Sequence, residues 1–245
     1  MTATYVYGLV GADTELPEDL KGLGPSGKVS TIVHGDVAAL VSDVPAGRPL
    51  GTREDLLAHE AVVDTVAGSA SVLPMRFPAV VEEEGVVEEL LAPNHDRFVA
   101  ALGELEGRVQ YTLKGRYERD VVLQEVLEEH PEVRELQEEI RDLPEDATYH
   151  QRLRLGELVV GALEERRDAE AEELVRQLEP HAVDVVVHDP GQPDDVVNTA
   201  FLVERERVRE FEDAVERQGE RLHGRARLRL LGPLAPYDFV PAEEG

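Results

Sequence analysis

An α+β fold in two halves of the same element order is what this sequence predicts, and three observations carry the expectation. Residues 107–117 alternate apolar Val109, Tyr111 and Leu113 with polar Gln110, Thr112 and Lys114, the period of a strand with one buried face. A helical tract of more than sixty residues follows, then two strands, a helix and a last strand. The residues before 107 read as a shorter version of the same order.

Taken in sequence, Thr4–Val10 reads as a strand with Tyr5, Tyr7 and Leu9 facing one side. Leu16–Leu20 reads as a short helical turn after Pro17, and Gly22–Gly27 as a loop. Val29–His34 and Val37–Val44 read as a hairpin closed by Gly35-Asp36. Thr52, with Asp55 three residues on, starts a helix that ends near Gly68. Leu56, Leu57, Glu60, Val63, Asp64 and Val66 give that helix its amphipathic pattern. Val72–Val81 reads as extended, held at a sheet edge or irregular by Pro74 and Pro78. Glu82–Leu105 reads as helical segments linking the halves.

In the second half, Val122, Val126, Val133, Leu136, Ile140 and Leu143 fall in steps of three and four and leave one apolar stripe over 118–143. After a turn at Pro144-Glu145-Asp146, a second long helix presents Leu155, Leu158, Val159, Ala162, Leu163, Ala169, Leu174 and Leu178. Two such helices joined by a short turn fold back as an antiparallel pair. Val183–His188 and Val197–Val203 are strands. Glu204–Leu222 is a helix with Val208, Phe211, Val215 and Leu222 inward, and Arg225–Leu231 is the last strand. Both halves then read β-α-β-β-α-β, two ferredoxin-like (βαββαβ) domains. The first spans 1–105 and includes the linker helices. The second spans 106–245, carries a long helical hairpin (a coiled-coil arm) at about 118–180, and ends in an ordered tail.

Composition narrows the function. The chain has 245 residues with 52 acids against 25 bases, a net charge of −27. The field of such a chain repels phosphate, so nucleic acid and anionic membranes are not expected partners. Residues 118–180 hold 20 of the acids and 8 of the bases, so the acidity is concentrated on the hairpin. Without cysteine there are no disulfides and no thiol chemistry. No apolar run reaches membrane-spanning length and the N-terminus has no signal-like segment, so a cytoplasmic protein is expected.

Catalytic patterns are wanting. Gly22–Gly27 only superficially resembles a phosphate loop, because Pro25 removes an amide and no helix starts after it. His59-Glu60 lacks the second same-face histidine of a zinc helix and reads as a half-exposed helix face. His181 and His188 stand at odd spacing on a strand, so they face opposite sides. Neither an enzyme nor a cofactor is expected. What remains are surfaces. Arg225, Arg227 and Arg229 alternate on the last strand. Beside them, Gln110, Thr112, Lys114 and Arg116 would share the sheet face left open by the helices, a candidate protein-binding face or an ordinary solvated one. Val72–Pro78 sets Arg76 and Phe77 among apolar residues and two prolines; a buried edge with its arginine paired to a carboxylate is the plainer reading. The proline-rich ending around Tyr237 reads as a tail that packs on its own domain or on a partner.

Several stretches together resemble the gas vesicle protein F/L family. They are Tyr5-Val6-Tyr7-Gly8, Leu73-Pro74-Met75-Arg76-Phe77, Val197–Arg205 and Gly232–Val240. Gly107–Asp120 and Tyr149–Leu158 are similar to the F-type members of actinobacteria. The family's Met-Arg-Phe-Gly stands here as Met75-Arg76-Phe77-Pro78, a departure that bears on the local turn. The resemblance implies a two-domain α+β fold with a coiled-coil arm. It also implies a non-enzymatic accessory protein of gas vesicle assembly, without a cofactor, that binds the hydrophobic shell protein and other accessory proteins and is a minor vesicle component. Self-association through the acidic hairpin is a further expectation. A small-molecule-binding or regulatory ferredoxin-like module is the alternative.

Overall fold

A computed structural model describes residues 2–47, 49–81 and 85–240. β1 (Thr2–Gly11), β2 (Ser30–His34) and β3 (Val37–Pro45) precede α1 (Arg53–Ala67). β4 (Val72–Pro74), β5 (Val80–Val81), a π-helical segment (Val86–Leu91) and α2 (His95–Glu104) follow. The second half runs β6 (Arg108–Tyr117), α3 (Arg119–Glu129), α4 (Pro131–Ile140), α5 (Tyr149–Leu178), β7 (Asp184–Val187), β8 (Asp195–Glu204), α6 (Val208–Arg221) and β9 (Ala226–Leu234). The fold is α+β, with two antiparallel sheets and, among the described residues, six α-helices. The chain divides into two compact units. The first holds the residues up to Tyr111, Leu202–Glu206 and those from Gly232 on; the second holds Thr112–Phe201 and Arg207–Leu231. This division gives the first unit the C-terminal tail, which the sequence reading assigned to the second half.

The first sheet has the order β2-β3-β1-β4, with β5 also on β1. Gly35, at φ +59°, makes the two-residue turn between β2 and β3, a conformation glycine takes at no steric cost. Residues 16–20, expected as a helical turn, form only one turn, closed by Leu20 N–H donating to Pro17 O at 3.2 Å. Three residues after Pro17 are too few to nucleate a longer helix without packing. The expected single face of Tyr5, Tyr7 and Leu9 also fails. A register shift between Val6 and Gly8 bulges β1 and turns the strand over. Tyr5, Tyr7 and Val10 enter one apolar cluster with α1, while Val6 and Leu9 enter another with Phe98 and Leu102 of α2. Both faces of the sheet are thereby buried.

α1 starts as the sequence predicts. Asp55 N–H donates to Thr52 Oγ1 at 3.1 Å and Thr52 N–H to Asp55 Oδ2 at 3.3 Å, a complete capping box. Its inner face differs from the expected one. Asp55, His59, Val62, Val63 and Val66 are buried, while Leu56 and Leu57 are 38% and 50% exposed. At the other end, the Arg205 guanidinium donates to the carbonyls of Ala67, Gly68 and Ala70, satisfying the open end of the helix. Burial lowers the pKa of this arginine, against a smaller opposing effect of Tyr111.

The second sheet has the order β7-β8-β6-β9. Tyr117 N–H donates to Asp194 O and Arg205 N–H to Gly107 O, which sets β6 antiparallel to β8. The single helix expected over 118–143 breaks at His130, whose φ of −114° and ψ of 89° are what a residue before proline adopts. α3 and α4 still share the predicted stripe, with Val122, Val126, Val133 and Ile140 buried, although Leu143 is exposed. α5 packs against both, and Leu174 and Leu178 are fully buried while the expected Ala169 is exposed. Beside α5, Phe211 of α6 packs on Phe201 of β8 with ring centroids 5.2 Å apart.

Candidate interaction surface

The residues singled out from the sequence fall into three places. In the first unit, Phe77 and Tyr237 converge on His59. Its Nδ1 lies 2.9 Å from Tyr5 Oη and its Nε2 2.8 Å from Tyr237 Oη. A neutral imidazole has one N–H and one lone pair, so it donates to one phenol and accepts from the other. Phe77 closes the cluster with its ring centroid 5.7 Å from that of His59. His59 is 1% exposed, not the half-exposed residue expected. Burial lowers its pKa, and a backbone hydrogen bond at Met75 offsets part of the effect. Burial likewise raises the Tyr5 and Tyr237 phenols above their ordinary value. Next to them Asp64 Oδ1 accepts from Ala235 N–H at 2.8 Å. Burial raises this carboxyl, opposed by that hydrogen bond and assisted by Glu60. Arg76 is exposed, with no ion-pair partner among the described residues, and it follows the buried edge strand β4.

The tail is held a second time. Gln110 Nε2 donates to Asp238 Oδ2 at 2.6 Å, and Asp238 N–H donates to Gln110 Oε1 at 3.1 Å. Gln110 and Thr112 are buried, so this end of the expected open face is covered. Gly232, at φ +150°, passes so close to Tyr111 that an added Cβ would meet its ring at 2.5 Å. The tail can take this path only with glycine there.

The open part of the second sheet lies in the second unit. Glu118 N–H donates to Arg225 O, and Gly115 faces Leu228. Continued along the strands, that register sets Arg116 opposite Arg227 and Lys114 opposite Arg229, all four exposed. Arg116 pairs with Asp195 at 3.0 Å and Arg227 with Glu118. Lys114 and Arg229 have no ion-pair partner among the described residues. Arg225 does not belong to this face. It lies before β9 and pairs with Glu125 of α3 at 2.9 Å and Glu170 of α5 at 2.8 Å. Arg166 joins Glu125 at 2.7 Å, and Tyr117 Oη donates to Glu170 at 2.7 Å. Burial works against the charge on Arg225, but the two glutamates outweigh it and raise its pKa.

Among the described residues, no group of three or more histidines and carboxylates is placed to hold a metal, and no helix is long and apolar enough to cross a membrane. Comparison with known proteins decides the family. The profile described as "Gas vesicle synthesis protein GvpL/GvpF" matches residues 3–241. The chain belongs to the GvpL/GvpF family. It is 36% identical to gas vesicle protein F of Streptomyces sp. (strain CB03234), over 97% of this chain and 99% of that one. It is 33% identical to gas vesicle protein L of the same strain, over 98% and 93%. The crystal structure of GvpF from Anabaena sp. PCC7120 superposes with a TM-score of 0.83 at 25% identity, covering 99% of each chain. That of GvpF from Microcystis aeruginosa superposes with 0.77 at 25% identity, over 98% of this chain and 99% of that one.

The stretches that resemble the GvpL/GvpF family now have a physical place. Tyr5, Phe77 and Tyr237 meet around His59, Arg205 caps α1, and Asp238 clamps Gln110. Segments far apart in the sequence thus converge on one side of the first sheet and on its tail. That His59, Asp64 and Gln110 join them was not legible in the sequence, where His59 and Asp64 are polar residues of an amphipathic helix and Gln110 alternates like an open-face residue.

Proposed function

We propose that the protein is a non-enzymatic accessory factor of gas vesicle assembly that acts through protein contacts in the cytoplasm and on the growing vesicle. The match to GvpL/GvpF over residues 3–241 carries this reading. Its partners are the vesicle shell protein and other accessory proteins. The contact surface is the open sheet face of Lys114, Arg116, Arg227 and Arg229, the bases a chain of net −27 gathers in one place. An acidic patch on a vesicle component, or the acidic α3–α5 segment of a second copy, is the complement. Strand order supports a further reading of the fold. Both sheets run second-third-first-fourth in chain order of their main strands, as ferredoxin-like halves do. The first half lacks its first helix, and α3–α5 stand in its place in the second half as a helical arm.

The test is the triple change Lys114→Glu, Arg227→Glu and Arg229→Glu. Capture of the shell and accessory proteins and the vesicle yield are expected to fall, while the thermal melt of the isolated protein stays in place. Unchanged capture and yield at normal expression reduce the face to a solvated one. A metabolite that binds near one per chain and raises the melting temperature favours the small-molecule module instead.

A further inference from the structure

β9 is the last strand of its sheet, paired with β6 on one side and with no strand on the other among the described residues. The outward N–H and C=O groups of such an edge are a template for another strand. Beside it, α6 and β9 bound an open groove of about 430 Å³, with Val215, Leu228 and Leu230 among its lining residues. Glu212, Glu216 and Glu220 follow one flank of α6 along the same groove, one helical turn apart, or about 6 Å per step. Glu216 and Glu220 have no ion-pair partner among the described residues. Like charges in a row repel each other, and here they stand over apolar floor. The other face of the strand carries Arg227 and Arg229, so the edge is acidic on one face and basic on the other.

We propose that this edge and groove dock an extended segment of a partner protein, added to the sheet beside β9. Alternate side chains of the segment are lysine or arginine, which enter on the α6 side. Same-face residues of a strand repeat at about 6.8 Å, close to the spacing of the glutamate row. Their aliphatic stems cover Leu228, Leu230 and Val215 while their charges reach the glutamates. The intervening residues lie beside Arg227 and Arg229 and are neutral or acidic. A two-fold pairing of β9 with β9 of a second copy is disfavoured, because it sets glutamates against glutamates and arginines against arginines. Main-chain pairing supplies the affinity and the alternating charge the specificity. The inference does not depend on which vesicle component meets the basic face.

The probe is a fluorescent octapeptide alternating lysine and threonine, titrated with the full chain and followed by anisotropy. It is expected to bind, and the same peptide N-methylated at alternate residues to bind at least about tenfold more weakly, since methylation removes ladder donors without changing charge. Glu216→Lys with Glu220→Lys is expected to weaken binding about tenfold. The same charge change at Glu164 and Glu165 on α5 is expected to leave it within about twofold, which separates this edge from the general attraction of an acidic protein. No binding at millimolar peptide, equal binding of the methylated peptide, or an equal loss in the α5 variant overturns the proposal.

Discussion

The His59 cluster of the first unit and the Arg225 cluster of the second both keep polar groups out of water, by opposite means. The groups that hydrogen-bond at His59 are neutral: an imidazole between two phenols, with aromatic rings packed about it. Around Arg225 the groups are mostly charged: two arginines and two glutamates, with side-chain exposures of 14–27%, and the Tyr117 hydroxyl on Glu170. A neutral cluster can be fully buried because each hydroxyl and ring nitrogen needs only its hydrogen bond. A charged one loses hydration that pairing only partly restores, so it sits where water still reaches it. The first cluster is therefore sensitive to a proton, the second to salt and to the loss of a partner.

The largest effect is expected from His59→Leu. It removes the hydrogen bonds of the Tyr5 and Tyr237 hydroxyls to the imidazole and replaces a polar ring by an apolar side chain beside them, a loss of about 2–4 kcal/mol. Hydrogen exchange should speed up in β1 and α1 but not in α3 and α5, and uniform loss of protection breaks the comparison. Arg225→Met is expected to cost less, about 1–3 kcal/mol, since Glu125 keeps Arg166 and the site is partly solvated. The loss should appear in α3 and α5. A cost above that of His59→Leu would mean that the charged cluster is the drier one.

Acid gives a graded version of the first change. Burial holds His59 below its ordinary 6.5, so the unfolded chain binds a proton that the folded one refuses. Its contribution is complete above about 6.5 and is lost as the pH falls below that value. Asp64, raised above 3.8, has the opposite sign, in a window between 3.8 and its raised value. A melt recorded at about pH 7.5 and about pH 5.5 should therefore drop, and Tyr237→Phe, costing about 1 kcal/mol, should leave that drop in place. A melt indifferent to pH in the wild type contradicts a neutral buried His59. The smallest effect is salt. Raising it to about 1 M screens the surface pairs Arg116–Asp195 and Arg227–Glu118 and is expected to change stability by no more than about 0.5 kcal/mol.

Much of this was legible in the sequence because it depends on period alone. The strand at 107–117, the Thr52–Asp55 cap and the Gly35-Asp36 turn are local patterns and formed as read, and the apolar stripes of α3–α5 formed in part, with Leu143 and Ala169 exposed. The errors arose where a distant segment decides. Gln110 and Thr112 alternate like open-face residues, yet the tail lies over Gln110. The inner face of α1 was misread because His59, a polar residue, occupies its centre while Leu56 and Leu57 face solvent. One extra residue in β1 reversed the faces of Leu9 and Val10, and hydropathy cannot register a bulge in a strand apolar on both sides. Arg225 lies one residue before the strand whose alternation was extended to include it. The break at Pro131 was local, but the apolar stripe continues across it and concealed it.

The seating of the tail sets an order in time. Ala235, Tyr237 and Asp238 are translated long after β1 and α1, yet they complete the unit that begins with β1. From Tyr111 to Ala235 translation takes roughly 6–25 s at ordinary rates of about 5–20 residues per second. Throughout that interval His59, Asp64 and Gln110 of the nascent first unit lack their partners Tyr237, Ala235 and Asp238. A message truncated before Gly232 should then yield chains that chaperones retain, and a ribosome stalled just past the tail, with linker enough to clear the exit tunnel, should release them.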